Sequence, residues 1–360
     1  MSNAAQAAPA SPLPALLERH HVGWDACSWR GKKRHFLAAL AIGALVTFGG
    51  AASAEQPPTA KIRIATLAPK QSPWGKVFSA WAKAVDNKTS GAIEVQWLWN
   101  GTTGPESTMV AKIKSGQIAG AAITAPGLAS IHGPIIALQM PGAFKTWAAL
   151  DRARDSLQGD FDAAITKAGF YVSGWSDIGV RHMLSRRFPV VRPDDLRGKT
   201  PGYVANDLVA AKVFEAIGGI TAKPAEVGEF LPMLTSGAIN TLTAPSVTAE
   251  QLQWASRLDH MNTGVVGFGV GAVVFSEAAL SKLGTENREI VETTGRAANL
   301  ALTKIIRGED DQAFARLKTK MTVHDMTEAE RAEWEKVWKR ACQSVKTSLP
   351  GHVLAKIGYC

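Results

Sequence analysis

After residue 60 the apolar positions first alternate as in a strand, then follow helical spacing, and then alternate again. Residues 61–66 alternate polar and apolar side chains, which predicts a strand. Ser72 and Pro73 form a favourable helix start, and apolar residues follow at helical spacing as far as Val85. Residues 93–97 alternate again and predict a second strand. A strand, a crossover helix and a strand indicate parallel pairing and an α/β fold.

A second pattern occurs twice along the chain. Each time a predicted helix ends at Ser-Gly, an apolar strand follows, and Thr-Ala-Pro ends the strand, first at residues 115–126 and again at residues 236–245. The repetition predicts two α/β lobes with corresponding elements. In open α/β sheets the carboxyl ends of the strands frame the ligand crevice. Thr124, Ala244 and Pro245 are therefore candidate ligand-binding residues.

The boundary between the lobes is predicted near residues 175–180. The apolar, glycine-rich residues 265–275 predict a buried strand that crosses back, and the chain from Ser276 is predicted to be almost entirely helical. A capping box at Thr327 starts the last long helix. The predicted division is a first lobe of residues 61–180 with 268–305, a second lobe of residues 181–267 with 306–341, and a C-terminal tail of residues 342–360.

The first 54 residues have the anatomy of a secretory signal peptide. A basic run at residues 30–34 precedes the apolar residues 36–48, and the small residues 52–54 form a cleavage pattern. A membrane anchor is the alternative, which the shortness of the apolar run disfavours because a spanning helix needs ~20 residues. We expect a soluble periplasmic protein that begins near Glu55.

Composition and charge narrow the class of protein. The 360 residues are 46% hydrophobic and 20% charged, as in ordinary soluble globular proteins. The net charge of +9 falls to +6 without residues 1–54, which also carry the dense basic run, so nucleic-acid binding is not indicated. Cys27 leaves with the leader. Cys342 and Cys360 remain, and a disulfide between them is the simplest prediction in an oxidising compartment, with two free thiols as the alternative.

Enzyme and metal motifs are missing from the sequence. It contains no phosphate-binding loop and no His-Glu-x-x-His, and residues 174–179 miss the Gly-x-Ser-x-Gly pattern by one position. Residues 267–271 carry three glycines, but their spacing is wrong for a dinucleotide site. The eight histidines are scattered, without metal-ligand spacing. The sequence therefore predicts no enzymatic activity, no cofactor and no metal.

Aromatic residues and one arginine are candidates for a ligand site. Trp74, Trp175 and Trp254 each lie at a predicted loop or helix start where two lobes would face each other, although core packing explains them equally well. Arg181 follows the predicted lobe boundary and could bind a carboxylate or phosphate with its planar guanidinium. The alternative is a surface residue or an ion pair with Asp177.

The order and spacing of several segments between Lys61 and Trp338 resemble a known family. It comprises the periplasmic solute-binding proteins of tripartite ATP-independent periplasmic (TRAP) transporters, the DctP-like family. The similar segments are residues 68–74, 88–91, 115–118, 192–199, 215–218, 236–239 and 253–254. The resemblance implies a two-lobed periplasmic binding protein fold, with hinge strands and long C-terminal helices, that closes on a ligand between the lobes.

The sequence departs from the family pattern at one site residue. After the Asp-Leu-x-Gly turn the family has Lys-hydrophobic-Arg, and this arginine holds the ligand carboxylate; here the positions are Thr200, Pro201 and Gly202. Arg181 matches a second, less general family arginine. We therefore expect a larger, more apolar pocket, with Tyr203 beside Gly202 and Arg181 as the main charged group. The candidate ligand-binding residues are Trp74, Thr124, Trp175, Arg181, Tyr203, Ala244, Pro245 and Trp254.

Two functions follow from the resemblance. The first is a non-enzymatic binding protein that captures a small molecule between its lobes and delivers it to the membrane subunits of a TRAP permease. The alternative is a periplasmic carrier of a hydrophobic or lipid-like ligand that works with a tetratricopeptide-repeat partner, as implied for a branch with similar Ser-Pro-Trp and Gln-Trp segments. The expected ligand is apolar or carries an anionic head group.

Overall fold

The computed structural model describes residues 60–360. The predicted signal peptide, Cys27 and the expected start near Glu55 lie outside the described residues. The strands are β1 Ala60–Thr66, β2 Ile93–Leu98, β3 Gly120–Thr124, β4 Phe170–Ser185, β5 Gly202–Val204, β6 Lys223–Ala225, β7 Thr241–Pro245, β8 His260–Ser276 and β9 Thr322–His324. The helices are α1 Pro73–Lys88, α2 Glu106–Lys114, α3 Ala125–Ala129, α4 Trp147–Lys167, α5 Leu208–Ile217, α6 Phe230–Ser236, α7 Ser246–Gln251, α8 Glu277–Ser281, α9 Thr285–Lys320, α10 Glu328–Val345 and α11 Gly351–Ile357. None of these helices is both long and apolar enough to cross a membrane.

The elements predicted from local patterns are confirmed. The hydroxyl of Ser72 accepts a hydrogen bond from the N–H of Gly75 at 3.2 Å and so caps α1. β1 pairs in parallel with β2 along its length. Thr327 and Glu330 form the predicted reciprocal capping box of α10. Trp81, Trp97, Trp334 and Trp338 are buried, as their positions on predicted helix and strand faces indicated.

Two long central strands organise the main sheet. The strand order is β2-β1-β3-β8-β4-β7, and β9 pairs with the first three residues of β8. β8 is antiparallel to β3 and to β4, and β4 is antiparallel to β7. The carboxyl ends of β3 and β7 therefore approach the middle of the sheet from opposite directions. The predicted lobe boundary at residues 175–180 lies inside β4, a continuous strand of 16 residues. The lobe ranges stay a prediction.

A buried charge cluster joins β4 to α4 and α9. The Asp177 carboxylate, fully buried, lies 2.6 Å from Nη1 of Arg154 and 2.7 Å from Nε of Arg307. Asp151 contacts both arginines. The ion pair between Asp177 and Arg181, offered above as one alternative, is therefore wrong. A β-bulge lies between Asp177 and Gly179 and turns Asp177 to the sheet face opposite Arg181.

A disulfide connects the C-terminal tail to α10. Cys342 and Cys360 are bonded with their Cα atoms 5.8 Å apart, which confirms the predicted pairing. The bond holds α11 close to α4, where Lys356 lies 3.0 Å from Asp160.

Reduction of this disulfide is expected to lower the free energy of unfolding by ~3 kcal/mol, because the bond closes a short loop in the unfolded chain. Urea unfolding with and without reductant measures the difference. Thiol titration of denatured, unreduced protein should find neither Cys342 nor Cys360 free, and two free thiols would contradict the pairing.

Candidate functional site

A cavity of about 170 Å³ lies where the carboxyl ends of β3 and β7 meet. Its size is close to that of an engineered protein cavity of ~150 Å³ that holds benzene, so it suits a small molecule. The walls are mostly apolar and come from both sides of the central strands. Aromatic side chains contribute much of this surface: Trp74, Phe78, Tyr203, Phe230 and Trp254.

Three alternate glycines of β8 make room beside the cavity. Gly267, Gly269 and Gly271 share one face of the strand because side-chain positions alternate. A Cβ atom on Gly271 would lie 2.8 Å from the carbonyl oxygen of Ile123, and one on Gly269 would lie 2.9 Å from Cβ of Ile178. The glycine pattern that lacked dinucleotide spacing therefore lets β3 and Ile178 pack closely against β8 beside the cavity.

Seven of the eight residues singled out from the sequence line this cavity. They are Trp74, Thr124, Arg181, Tyr203, Ala244, Pro245 and Trp254. Both Thr-Ala-Pro segments lie at strand ends beside the cavity, as their position after an apolar strand indicated. Contact between these residues and a ligand stays a prediction.

Trp175 lies away from the cavity. Its indole is buried against Phe161, and its Nε1–H donates to Asp162 at 2.9 Å. The neighbouring Ser176 lines the cavity, so the alternation of β4 directs Trp175 to the opposite face, toward α4. Trp175 was predicted at a lobe boundary because the sequence pattern does not predict a continuous strand over residues 170–185.

Arg181 is the cation of the cavity wall. Its side chain is buried, Nη2 donates to the carbonyl oxygen of Gln139 at 2.6 Å, and Nη1 lies 3.8 Å from a carboxylate oxygen of Asp207. Its Nε has no hydrogen-bond partner within residues 60–360. Burial lowers the pKa of Arg181 and Asp207 opposes the change, but a guanidinium stays protonated in proteins. The opposite Gly267 leaves space, because a Cβ atom there would lie 3.0 Å from Nη2.

Glu106, the first residue of α2, brings a buried carboxylate to the cavity. Its oxygens accept hydrogen bonds from the backbone N–H of Thr124 at 2.8 Å and from the Thr124 hydroxyl at 2.7 Å. Burial raises the pKa of Glu106 to about 7, the Thr124 bonds oppose this, and the negative charge of Glu226 adds to it. Within the described part of the chain, no lysine or arginine forms a salt bridge with Glu106.

Sequence reasoning missed three polar groups around the cavity. Glu106 gives no signal of its own, because it falls in the first turn of a helix, where acidic residues are common. Asp207 had a signal, since it precedes an apolar helical run and its side chain caps α5 by accepting the N–H of Ala210 at 2.9 Å. Gln139 had none, because its backbone carbonyl, rather than its side chain, contacts Arg181.

Gly202, which stands where the family pattern has arginine, is tightly enclosed. A Cβ atom there would lie 2.7 Å from Cδ1 of Ile239 and 3.0 Å from Cε1 of Phe230. The apolar side chains of Ile239 and Phe230 thus occupy space that a larger residue at this position would need.

Gly202→Ala is expected to lower the free energy of unfolding by ~1–3 kcal/mol, because the added methyl group overpacks this wall. Urea unfolding measures the loss. Gly228→Ala is the matched control, since no atom lies within 4 Å of the position that its added methyl group would take. Equal stability of the two variants would show that Ile239 and Phe230 can move aside without lowering the free energy of unfolding.

Comparisons with known proteins agree with this architecture. The profile of bacterial extracellular solute-binding protein family 7, DctP, matches residues 64–348. A solute-binding protein of Verminephrobacter eiseniae is 26% identical over 306 residues, covering 80% of this chain and 86% of that protein. One from Chromohalobacter salexigens is 28% identical over 173 residues, which is 48% of this chain and about half (51%) of that protein.

Solved structures share the fold at low sequence identity. A TRAP periplasmic solute-binding protein from Sulfurospirillum deleyianum, with bound succinate, has a TM-score of 0.78 at 18% identity over 84% of this chain and 99% of its own. The sugar-acid-binding protein of Advenella mimigardefordensis, in complex with galactonate, has a TM-score of 0.77 at 17% identity over 84% and 97%. These two-lobed neighbours and the family are solute-binding proteins rather than enzymes. The chain belongs to the bacterial extracellular solute-binding protein family 7, the DctP family of TRAP solute-binding proteins.

Proposed function

We propose that this protein binds a small organic acid in the cavity between its lobes and delivers it to the membrane subunits of a TRAP transporter. Arg181 carries the proposal. It is a buried cation in the cavity wall, and its Nε has no partner among the described residues. A ligand carboxylate would supply the missing acceptor in a charge-assisted hydrogen bond. The ligands of the structural neighbours, succinate and galactonate, are carboxylates and support the same class.

Ligand capture would proceed by lobe closure about β4 and β8. We propose the lobes as residues 61–180 with 268–305 and residues 181–267 with 306–341, and the permease would bind the closed form. The pairing of β4 with β8 supports this, because both strands run through the sheet between the two groups of elements. The periplasm is the proposed location, reached by a signal peptide over residues 1–54.

The cavity gives no support to a lipid-like ligand or to a tetratricopeptide-repeat partner. Its volume suits a small molecule rather than the long acyl chains of a lipid. Its walls are mostly apolar, but they also include Arg181, Asp207 and Glu106. An apolar ligand would leave the buried Nε of Arg181 without a hydrogen-bond acceptor.

Native mass spectrometry of protein purified from its own periplasm tests the proposal. We expect an adduct of one small acid, released on denaturation and identified by its mass. Arg181→Met should lack this adduct, whereas the control Arg197→Met should keep it, since Arg197 is exposed and pairs with Asp194. A lipid adduct, or the same adduct on Arg181→Met, would refute the proposal.

A further inference from the structure

The charges around the cavity do not match a simple anion. Arg181 is the one cation among the residues that line it, against two carboxylates, Asp207 and Glu106. Asp207 lies beside Arg181, so the positive charge is already partly balanced. Above the pKa of Glu106, which is about 7, a ligand that brought only negative charge would leave the cavity with an excess of negative charge. This imbalance calls for a positive group on the ligand.

The two unlike charges lie at opposite ends of the cavity floor. Arg181 on β4 is opposite Gly267 of β8, and Thr124 on β3, which binds Glu106, is opposite Gly271. These two backbone positions on β8 are four residues, or about 13 Å, apart. A ligand that reaches both groups therefore needs two polar ends separated by a spacer.

The Glu106 carboxylate can accept a further hydrogen bond. Its oxygens accept two bonds from Thr124 and one from the backbone N–H of Gly127, and a carboxylate has about four acceptor sites. Gly127 leaves space for the Glu106 carboxylate, since a Cβ atom at position 127 would lie 2.6 Å from Oε2 of Glu106. The other titratable group that acts on Glu106 is Glu226, which is also negative when ionised. A buried carboxylate in such surroundings is stabilised by a cation that hydrogen-bonds to it.

We propose that the cavity binds a zwitterion, whose carboxylate contacts Arg181 and whose protonated amine contacts Glu106. The proposal rests on the organic-acid function above for its Arg181 end and adds the amine end. An apolar spacer of several methylene groups would separate the two polar ends and match the aromatic walls. A dicarboxylate of equal length would place its second anion against Glu106.

Three ligands of one length test this inference: 6-aminohexanoate, adipate and hexanoate. We expect calorimetry to show that the unaltered protein binds 6-aminohexanoate at least tenfold more tightly than either of the others. Glu106→Gln should lose this preference. Glu328→Gln is the matched control, because Glu328 is likewise the first residue of a helix but is exposed, and it should keep the preference.

The possible failures separate the two proposals. Tighter binding of adipate than of 6-aminohexanoate, or an unchanged preference in Glu106→Gln, would overturn the zwitterion while the Arg181 contact stands. Binding of all three ligands by Arg181→Met as tightly as by the unaltered protein would overturn the organic-acid function itself.

A measurement on the unaltered protein covers the case in which Glu106→Gln does not fold. An ammonium group lowers the pKa of a carboxylate that binds it. Since the pKa of Glu106 is about 7, binding of 6-aminohexanoate at pH 6.5 should release roughly half a proton or more. Calorimetry in buffers of different ionisation enthalpy counts these protons. Hexanoate should release none, and equal release by both ligands would overturn the inference.

Discussion

Replacing Arg181 by methionine is expected to weaken the binding of short organic acids by at least 30-fold. The reason is that truncating one partner of a buried, hydrogen-bonded charge pair costs ~2–5 kcal/mol, or about 30-fold to several thousandfold in affinity. The guanidinium is held on two sides, by the Gln139 carbonyl and by Asp207, so it is already oriented before the ligand arrives. Calorimetric titration with carboxylates of three to six carbons measures the loss.

The stability of the variant has to be separated from its affinity. Without Arg181 the buried carboxylate of Asp207 loses its cation, so the single variant should also unfold at lower urea concentration. Arg181→Met combined with Asp207→Asn removes both charges and should recover part of the stability without recovering acid binding. Arg181→Lys should bind acids poorly too, because one ammonium group cannot reproduce the planar fork. Full acid affinity in the double variant would exclude Arg181 as the anchor.

Asp177→Ala is expected to destabilise the protein by ~3–5 kcal/mol, the largest stability effect that we predict. Removal of the carboxylate takes from Arg154 and Arg307 their fully buried partner and leaves them only the partly exposed Asp151, and buried charge that loses a partner is costly. Urea unfolding, followed by tryptophan fluorescence, measures the change in the free energy of unfolding.

An exposed ion pair provides the comparison for Asp177. Asp194 pairs with Arg197 at 2.9 Å, and both side chains are more than half exposed, at 74% and 58%. Surface pairs of this kind contribute ~0–1 kcal/mol, so Asp194→Ala should change stability little. The Asp177 effect should also persist at high salt, because buried pairs are screened weakly. A loss below ~1 kcal/mol for Asp177→Ala would show that solvent reaches the two arginines.

Much of the fold could be predicted because its signals are local. Ser72 before Pro73, and Thr327 three residues before Glu330, determine where α1 and α10 begin through bonds within a single turn. The strand periods of β1 and β2 likewise need no information from elsewhere in the chain. The pairing of β4 with β8 carries no such signal, since its register depends on residues far apart in sequence. For this reason a boundary was predicted at residues 175–180, where a strand continues.

The part of the site that could be predicted is the part at the carboxyl ends of strands. Thr124 and Pro245 were found because carboxyl ends of strands frame a crevice. Trp175 was predicted in the cavity wall, but it lies on the other face of β4, because neighbouring residues of a strand point to opposite faces. Asp177 lies on the face opposite Arg181 because of the β-bulge that follows it, which cannot be predicted from the sequence. Glu106 becomes noticeable only when its burial is known. Among the charged groups of the cavity, Arg181 was thus found from the sequence, whereas Glu106 needs tertiary structure to be recognised.

The long pairing of β4 with β8 also constrains when the protein can fold. Partners in this ladder are roughly 75 to 106 residues apart, from Ser185 with His260 to Phe170 with Ser276. During synthesis β3 is complete long before β8, its neighbour in the sheet, has been made, so an emerging chain holds β3 with an unpaired edge. Such distant contacts also slow folding, because a long loop has to close before they form. We therefore expect ribosome-bound chains that end before Ser276 to stay open to proteases, and the complete sheet to form only after synthesis has passed that residue.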